Sequence, residues 1–305
     1  MAVVEVQGLT KTYDKKQALH NVSFSVAGGS CFGLLGPNGA GKSTTMKILT
    51  GILDGDGGTA KILGLDVQHD RDNLRRQVGY VPQEITLYDK LSAVDNLRFF
   101  GELYGVKGAE LRERIAAVLE QVGLTDRAKD AVKTFSGGMK RRINIAAALL
   151  HQPKLLILDE PTVGIDPQSR NHIFNMIRDL KQQGVTIIYS THYMEEVETL
   201  CDHLAIIDNG HVIAQGALQE LLDQYGQTSI FVEAKGWAEL PALAEVKSSR
   251  AVDDGYMLET DHLLETMQSL TQTALRQGVH VRKLETVRPS LETVFLTLTG
   301  TSLRD

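Results

Sequence analysis

Short apolar runs alternate with longer stretches of helical period along most of the chain. "CFGLL" at 31–35, "LLIL" at 155–158 and "VTIIYS" at 185–190 lack polar alternation. They predict strands buried on both faces, as in a parallel sheet covered by helices. "VVEVQGLTKTY" and "HNVSFSVAGG" alternate apolar with polar positions and predict an antiparallel flank. Between about 84 and 150 the strand signals fade. "LSAVDNLRFFGELYG", "GAELRERIAAVLEQVGL" and the stretch after Ser136 predict a helical subdomain inserted in an α/β domain with a mixed sheet. "DQYGQTS" reads as a polar, glycine-containing joint. Beyond it the pattern predicts a strand ("SIFVEA"), a weak helix, a strand near Tyr256, a helix ("DHLLETMQSLTQTALRQ"), a strand ("VHVRKLE") and a last helix ("PSLETVFLTLT"). The expected division is a main domain over 1–224 and a small α/β module over 225–305.

Bulk properties narrow this only slightly. A length of 305 residues suits one large domain plus a smaller one. The formal net charge of −6 gives no electrostatic reason to expect a nucleic-acid partner. Cys31 and Cys201 lie far apart and form no metal-ligand spacing, so a reduced, cytosolic setting is expected. The start of the chain lacks the order of a signal peptide, and no apolar run reaches the roughly 18 residues of a membrane span. Work at a membrane would go through a partner.

The chemistry begins at "GPNGAGKST", between the strand "CFGLL" and a helical stretch. This is GxxxxGK[ST], with Gly36, Gly41, Lys42 and Ser43 at the fixed positions and Asn38, Gly39, Ala40 and Thr44 completing the loop. Glycines let successive backbone N–H groups curl round phosphate oxygens, and the following helix aims its positive end at the same anion. Lys42 is expected to reach the β- and γ-phosphates and the Ser43 hydroxyl to hold Mg²⁺. "LLILDEP" ends a buried strand in two carboxylates, on the sheet edge where such folds collect ligands. Asp159 is the expected Mg²⁺ partner, and Glu160 is placed to polarise a water attacking the γ-phosphate. His192 follows another strand end and is expected near the γ-phosphate or that water. Gln83, in "VGYVPQE", closes a further strand and is read either as a metal or water contact or as plain turn chemistry.

"TFSGGMKRRINIAAALL", residues 134–150, is less ordinary. Ser136 reads as a helix N-cap, and Met139, Ile143, Ala146, Ala147 and Leu150 predict one apolar helical face. Two glycines at its start each cost about 1 kcal/mol of helix propensity against alanine. Lys140, Arg141 and Arg142 stand at the positive end of the helix dipole, which is tolerable if an anion binds there or if the charges reach solvent. Close backbone approach by a phosphate would account for the glycines.

The ordered set "GPNGAGKST", "YVPQE", "FSGGMKRR", "LLILDEPTVGIDP" and "STH" resembles the ATP-binding subunit of ATP-binding cassette transporters, over residues 1 to about 220. The resemblance implies a P-loop NTPase core, ATP with Mg²⁺, and head-to-tail pairing with a second copy. There Ser136, Gly137 and Gly138 of one chain would press on the γ-phosphate held by the other. It also implies that Tyr13 stacks on adenine and that Asp166 belongs to the loop signalling between paired sites. Met139 stands where the family signature often carries glutamine, which removes one hydrogen-bonding group from that position. "SGGMKRR", "NLRFFGELYG" and "PSLETVFLTLTG" look like the drug- and polysaccharide-export branch. That branch implies a separate membrane permease subunit and a place at the cytoplasmic face of the membrane. A soluble cassette ATPase acting on ribosomes or DNA is the alternative. A GTPase would need an NKxD motif, and none occurs.

Overall fold

The computed structural model describes residues 2–226, 228–235, 237, 242–252, 255–287 and 289–299. The two alternating runs near the start form β1 (Ala2–Tyr13) and β2 (Lys16–Ala27), paired antiparallel. β3 (Cys31–Leu35) is buried at every position and leads through the glycine loop into α1 (Lys42–Leu49). β4 (Gly57–Ile62) and β5 (Leu65–Asp66) complete a four-stranded antiparallel sheet of order β2-β1-β4-β5. α2 (Arg71–Arg75) and β6 (Val78–Val81) follow.

The helical stretch contains α3 (Ala93–Leu103), α4 (Gly108–Gln121) and α5 (Gly137–Leu149). α3 starts at the Ser92 hydroxyl, which accepts from the Asp95 N–H at 3.1 Å. Next come β7 (Leu155–Asp159), α6 (Pro167–Gln182), β8 (Thr186–Thr191) and α7 (Met194–Leu200). β9 (His203–Asp208) and β10 (His211–Ala217) form a hairpin, followed by α8 (Leu218–Tyr225).

A six-stranded sheet runs β10-β9-β3-β8-β7-β6, parallel except for the β9–β10 pair, so it is mixed as expected. Its central strands β3, β7 and β8 are buried throughout, which is why their sequences show no alternation. Val4, Val6, Leu19, Val22, Phe24 and Val26 of the antiparallel sheet share one core cluster with Phe32, Leu34, Ile157 and Ile188. Phe24 stacks on Phe32 with ring centroids 5.3 Å apart.

The chain divides into two compact units at Leu218/Gln219. The second holds β11 (Ser229–Lys235), β12 (Ser248–Val252), β13 (Gly255–Glu259), α9 (Leu263–Gln277), β14 (His280–Val287) and α10 (Leu291–Thr299). Its sheet has the order β12-β13-β11-β14 and is antiparallel throughout. Ile230, Val232, Leu258 and Leu270 form its core. Of the stretch where the weak helix was expected after "SIFVEA", residues 236 and 238–241 lie outside the described ones, and 242–247 hold a turn and no helix. β12, with the exposed sequence "SSRAV", carried no apolar signal and was not expected.

The single apolar face predicted for α5 is corrected by the structure. From Ile143 to Leu149 every residue is buried, Asn144 included, because the helix is enclosed by its neighbours. Gly138 also has a packing reason within the chain, beside the role toward phosphate expected of it. A Cβ there would lie 2.0 Å from Ser169 Oγ and 3.2 Å from Asp166 Oδ2, so the glycine lets the start of α5 meet the start of α6. At Gly137 the nearest atom to such a Cβ is Ile165 Cδ1 at 3.9 Å, and that backbone is exposed. Gly138→Ala should therefore destabilise the fold by roughly 1–3 kcal/mol, as overpacking does. Urea unfolding checks this, and Ser169→Gly in the same chain should recover most of the loss.

Candidate nucleotide site

The parallel strands end in register along one edge. Leu35 pairs with Thr191, Asp159 with Ser190, and Val81 with Leu158. The residues that follow each end, the glycine loop, Glu160, His192 and Gln83, therefore emerge side by side. A cleft of about 300 Å³ opens there, lined by Tyr13, Asn38, Gly39, Gly41, Lys42, Ser43, Thr44, Gln83 and Glu160, with Lys16 and Ala18.

The loop backbone depends on its glycines. Gly41 has φ of 110°, in the left-handed region, and a Cβ there would also meet Leu19 Cδ2 at 2.6 Å. A Cβ on Gly36 would lie 2.1 Å from the Ile207 carbonyl oxygen. Ala40 is buried, and its carbonyl accepts from the Gly210 N–H at 2.9 Å, tying the loop to the β9–β10 turn.

Lys42 is almost fully buried. Its ammonium donates to the Gly36 and Pro37 carbonyls at 2.7 and 3.1 Å and pairs with Glu160 Oε1 at 3.0 Å. Its three donors are thus directed into the loop and onto the second carboxylate. Ser43 Oγ donates to Asp159 Oδ1 at 3.1 Å, and the same oxygen accepts from Ser190 Oγ at 2.6 Å. A hydroxyl facing a carboxylate oxygen is a hard-oxygen donor set of the kind that suits Mg²⁺. Gln83 Nε2 lies 3.5 Å from Glu160 Oε2, and His192 Nδ1 faces the same oxygen at 3.4 Å, too poorly aligned for a hydrogen bond.

Glu160 has φ of 46°, a left-handed backbone that costs a non-glycine residue about 1–3 kcal/mol and is characteristic of functional sites. Its N–H is held by both the carbonyl and the hydroxyl of Ser190, each at 3.1 Å. Ser190 therefore positions both carboxylates, and sequence reasoning missed it. Its only signal was its place in "STH", one residue before the end of β8. Tyr80 was missed as well. Burial, and then the charge of Asp159, push its phenol well above the usual range, so it stays protonated beside that carboxylate.

Ser136, Gly137, Gly138 and Asp166 do not line this cleft. Ser136 caps α5 as expected, its hydroxyl accepting from the Met139 N–H at 3.2 Å. Asp166 caps α6 through the Ser169 N–H at 2.9 Å, and its hydrogen bonds to Ser169 hold its carboxyl below the usual range. These four residues form a second cluster, built where the first turns of α5 and α6 touch.

Each of the three cations has a partner within the chain. Lys140 pairs with Asp89 at 2.7 Å, and Arg142 donates to the Val122 carbonyl at 2.8 Å. Arg141 is 3% exposed and donates to the Pro82 carbonyl at 2.7 Å and to the Gln83 carbonyl. Burial lowers its pKa, while the nearby Asp159 charge opposes that shift. The signature helix is thereby fastened to the segment that presents Gln83.

A family described as "ABC transporter" matches residues 19–163, and "ATP-binding protein DrrA1-3-like, C-terminal domain" matches residues 216–299. The linearmycin resistance ATP-binding protein LnrL of Bacillus subtilis is 44% identical, covering 99% of this chain and 100% of its own length. The Nod factor export ATP-binding protein I of Ralstonia nicotianae is 40% identical over 99% of this chain and 95% of its own. The daunorubicin/doxorubicin resistance ATP-binding protein DrrA of Streptomyces peucetius is 37% identical over 97% and 92%. Among solved structures, an ATP-binding subunit of an ABC transporter matches with TM-score 0.67 and 34% identity, over 73% of this chain and 93% of that one. An ATP-binding cassette in a dimeric, post-hydrolysis state with ADP and Pi matches with TM-score 0.65 and 26% identity, over 70% and 98%.

One prediction concerns Arg141. Arg141→Met removes the side chain that bridges the Pro82 and Gln83 carbonyls and should cost roughly 2–4 kcal/mol of stability. Amide exchange should rise first in residues 82–87 if the loss is local, which mass-resolved hydrogen exchange would detect.

Proposed function

The chain belongs to the ATP-binding cassette family of transporter ATPases, and from that premise we propose how its residues do the work. It binds and hydrolyses ATP and is the ATP-binding subunit of a membrane transporter. The observation that carries the assignment of roles is the meeting of Lys42, Ser43, Glu160, Gln83 and His192 at one edge of the parallel sheet.

In this reading ATP enters the cleft with its adenine against Tyr13, whose ring is exposed at the cleft and offers a flat face. The loop N–H groups from Gly36 to Thr44 take the β- and γ-phosphates. Lys42 turns its ammonium from the loop carbonyls and Glu160 to the phosphate oxygens. Mg²⁺, held by Ser43 and Asp159 with Gln83 nearby, would neutralise charge on those phosphates. Releasing Lys42 frees Glu160, which accepts a proton from the attacking water. His192, on the other side of Glu160, donates to the γ-phosphate or the water.

A second copy supplies the signature. The exposed Ser136–Gly137 backbone at the start of α5 lies away from its own chain's cleft, which supports use in trans, head to tail. Asp166, beside that helix start, belongs to the same interface. Residues 1–224 act as the nucleotide-binding domain, with the helices of about 84–150 inserted, and 225–305 as an accessory module.

The membrane component is a separate permease subunit. No described helix is long and apolar enough to cross a membrane. A hollow of about 880 Å³ lined by Ile52, Leu74, Arg75, Tyr80, Leu103 and Tyr104 exposes much of Ile52 and Leu103. Its lining, apolar with Arg75, Arg76 and Asp72 among it, suits a short amphipathic segment of that subunit, and Tyr80 joins the hollow to Asp159. The subunit holds the chain at the cytoplasmic face, and the similarity to resistance and Nod factor export proteins supports export as the direction.

Two outcomes are expected. Glu160→Gln should retain ATP binding while turnover falls about 100-fold or more, since the carboxylate base is lost. Measured by phosphate release beside equilibrium ATP binding, unchanged turnover would contradict the assignment. Ser136→Arg in the Glu160→Gln chain should leave ATP binding by the single chain intact and abolish the ATP-dependent dimer in light scattering. A normal dimer would contradict use of the signature in trans.

A further inference from the structure

A second buried carboxylate lies behind the site and has no part in the roles above. Glu196, on α7, is 2% exposed and meets three hydroxyl donors and, among the described residues, no cation. Oε1 accepts from Thr162 Oγ1 at 2.7 Å. Oε2 accepts from Tyr189 OH and from Thr191 Oγ1, each at 2.9 Å. Thr191 Oγ1 in turn accepts from the Tyr193 N–H at 2.9 Å. Burial, and then the charge of Glu196, raise the Tyr189 phenol well above its usual range, so it remains a donor.

The places of these hydroxyls in the chain give the network its meaning. Thr162 is two residues after Glu160, in the turn that follows β7. Thr191 immediately precedes His192, and Tyr193 immediately follows it. One carboxylate therefore grips the segment beyond the catalytic glutamate with one oxygen and, with the other, the residue before the histidine, whose hydroxyl in turn holds the N–H of the residue after it. The left-handed backbone of Glu160 needs such restraint, because a strained residue relaxes unless its surroundings over-determine it. Ser190 holds it from the N–H side; on the carbonyl side the Val163 N–H reaches its oxygen at 3.4 Å, and Thr162, two residues on, is tied to Glu196. A buried carboxylate is expensive unless every oxygen is hydrogen-bonded, and apolar side chains would fill the space more cheaply. Its presence here thus calls for a task that apolar packing cannot perform.

We propose that Glu196 is a positioning residue that fixes the spacing of Glu160 and His192 by clamping Thr162 to Thr191, a role that rests on the assignment of those two residues above. Glu160 Oε2 and His192 Nδ1 stand 3.4 Å apart across this clamp, with no good hydrogen bond of their own to set the distance. Loss of the clamp shifts the water-activating carboxylate relative to the phosphate loop without altering the groups that bind ATP.

The test compares Glu196→Gln, Thr162→Val and Thr162→Ser with the parent chain and with Glu160→Gln, using ATP turnover, equilibrium ATP binding and urea unfolding. Glutamine cannot accept at both ends, and valine keeps the shape of Thr162 but removes its donor. Both should lower kcat about 10- to 100-fold, the effect of a small misplacement, with KM for ATP within about twofold. Thr162→Ser restores the hydroxyl and should restore kcat. Glu196→Gln combined with Thr162→Val should be little worse than either alone, because both break one link. Should Glu196→Gln fail to fold, the valine and serine pair carries the comparison. Normal kcat in Thr162→Val overturns the proposal, as does a matched loss in Thr162→Val and Thr162→Ser that follows their unfolding. If Glu160→Gln itself turns over normally, the assignment of Glu160 fails. If Glu160→Gln is inactive while Glu196→Gln and Thr162→Val are normal, the clamp alone fails.

Discussion

Everything at the site depends on the register of four parallel strands. Hydrogen bonding places the ends of β6, β7, β8 and β3 level, so that the next residue of each chain segment leaves the sheet at one edge. Side chains alternate along a strand, and a slip of one residue would turn Asp159 or Ser190 to the opposite face. The register is enforced by burial on both faces, since Leu155–Leu158 and Ile187–Tyr189 have no solvent-compatible alternative. Hydrophobic packing in the sheet thereby specifies the position of a hydroxyl and three ionisable groups that are themselves poor candidates for burial.

The buried lysine and carboxylates of the site are each paired or hydrogen-bonded. Lys42 and Glu160, each about 5% exposed or less, neutralise one another while the lysine also satisfies two loop carbonyls. Asp159 takes two hydroxyls, and Glu196 takes three. A buried pair of this type adds little to stability compared with apolar filling, yet removing one partner is strongly destabilising. In the function proposed above, ATP replaces Glu160 as the partner of Lys42, because a phosphate oxygen is an equivalent anion. Binding and release of Glu160 for catalysis are then one exchange of partners.

Much of this was legible in the residues. Strands with no polar alternation, a glycine loop between strand and helix, and acids just past a buried strand are local signals, and β3, α1 and β7 lie where those signals put them. What escaped was set by distant neighbours. Arg141 reads as a surface cation because the carbonyls that satisfy it belong to Pro82 and Gln83. Glu196 reads as one more acid in "YMEEVETL", since Thr162 is remote in sequence. The packing need for Gly138 was hidden in the same way, since the side chain it makes room for is Ser169. Cys31 and Cys201 are 170 residues apart, yet their sulfurs meet at 3.7 Å where β3 passes the end of α7.

The most direct test of the account is a structure of the Glu160→Gln chain with ATP and Mg²⁺. The account predicts two copies related head to tail. Ser43 and Asp159 should flank the metal, Lys42 should have moved from the Gly36 and Pro37 carbonyls to the phosphates, and Ser136 of the second copy should lie on the γ-phosphate. A single copy with ATP enclosed by its own Ser136, or a metal away from Asp159, would contradict it.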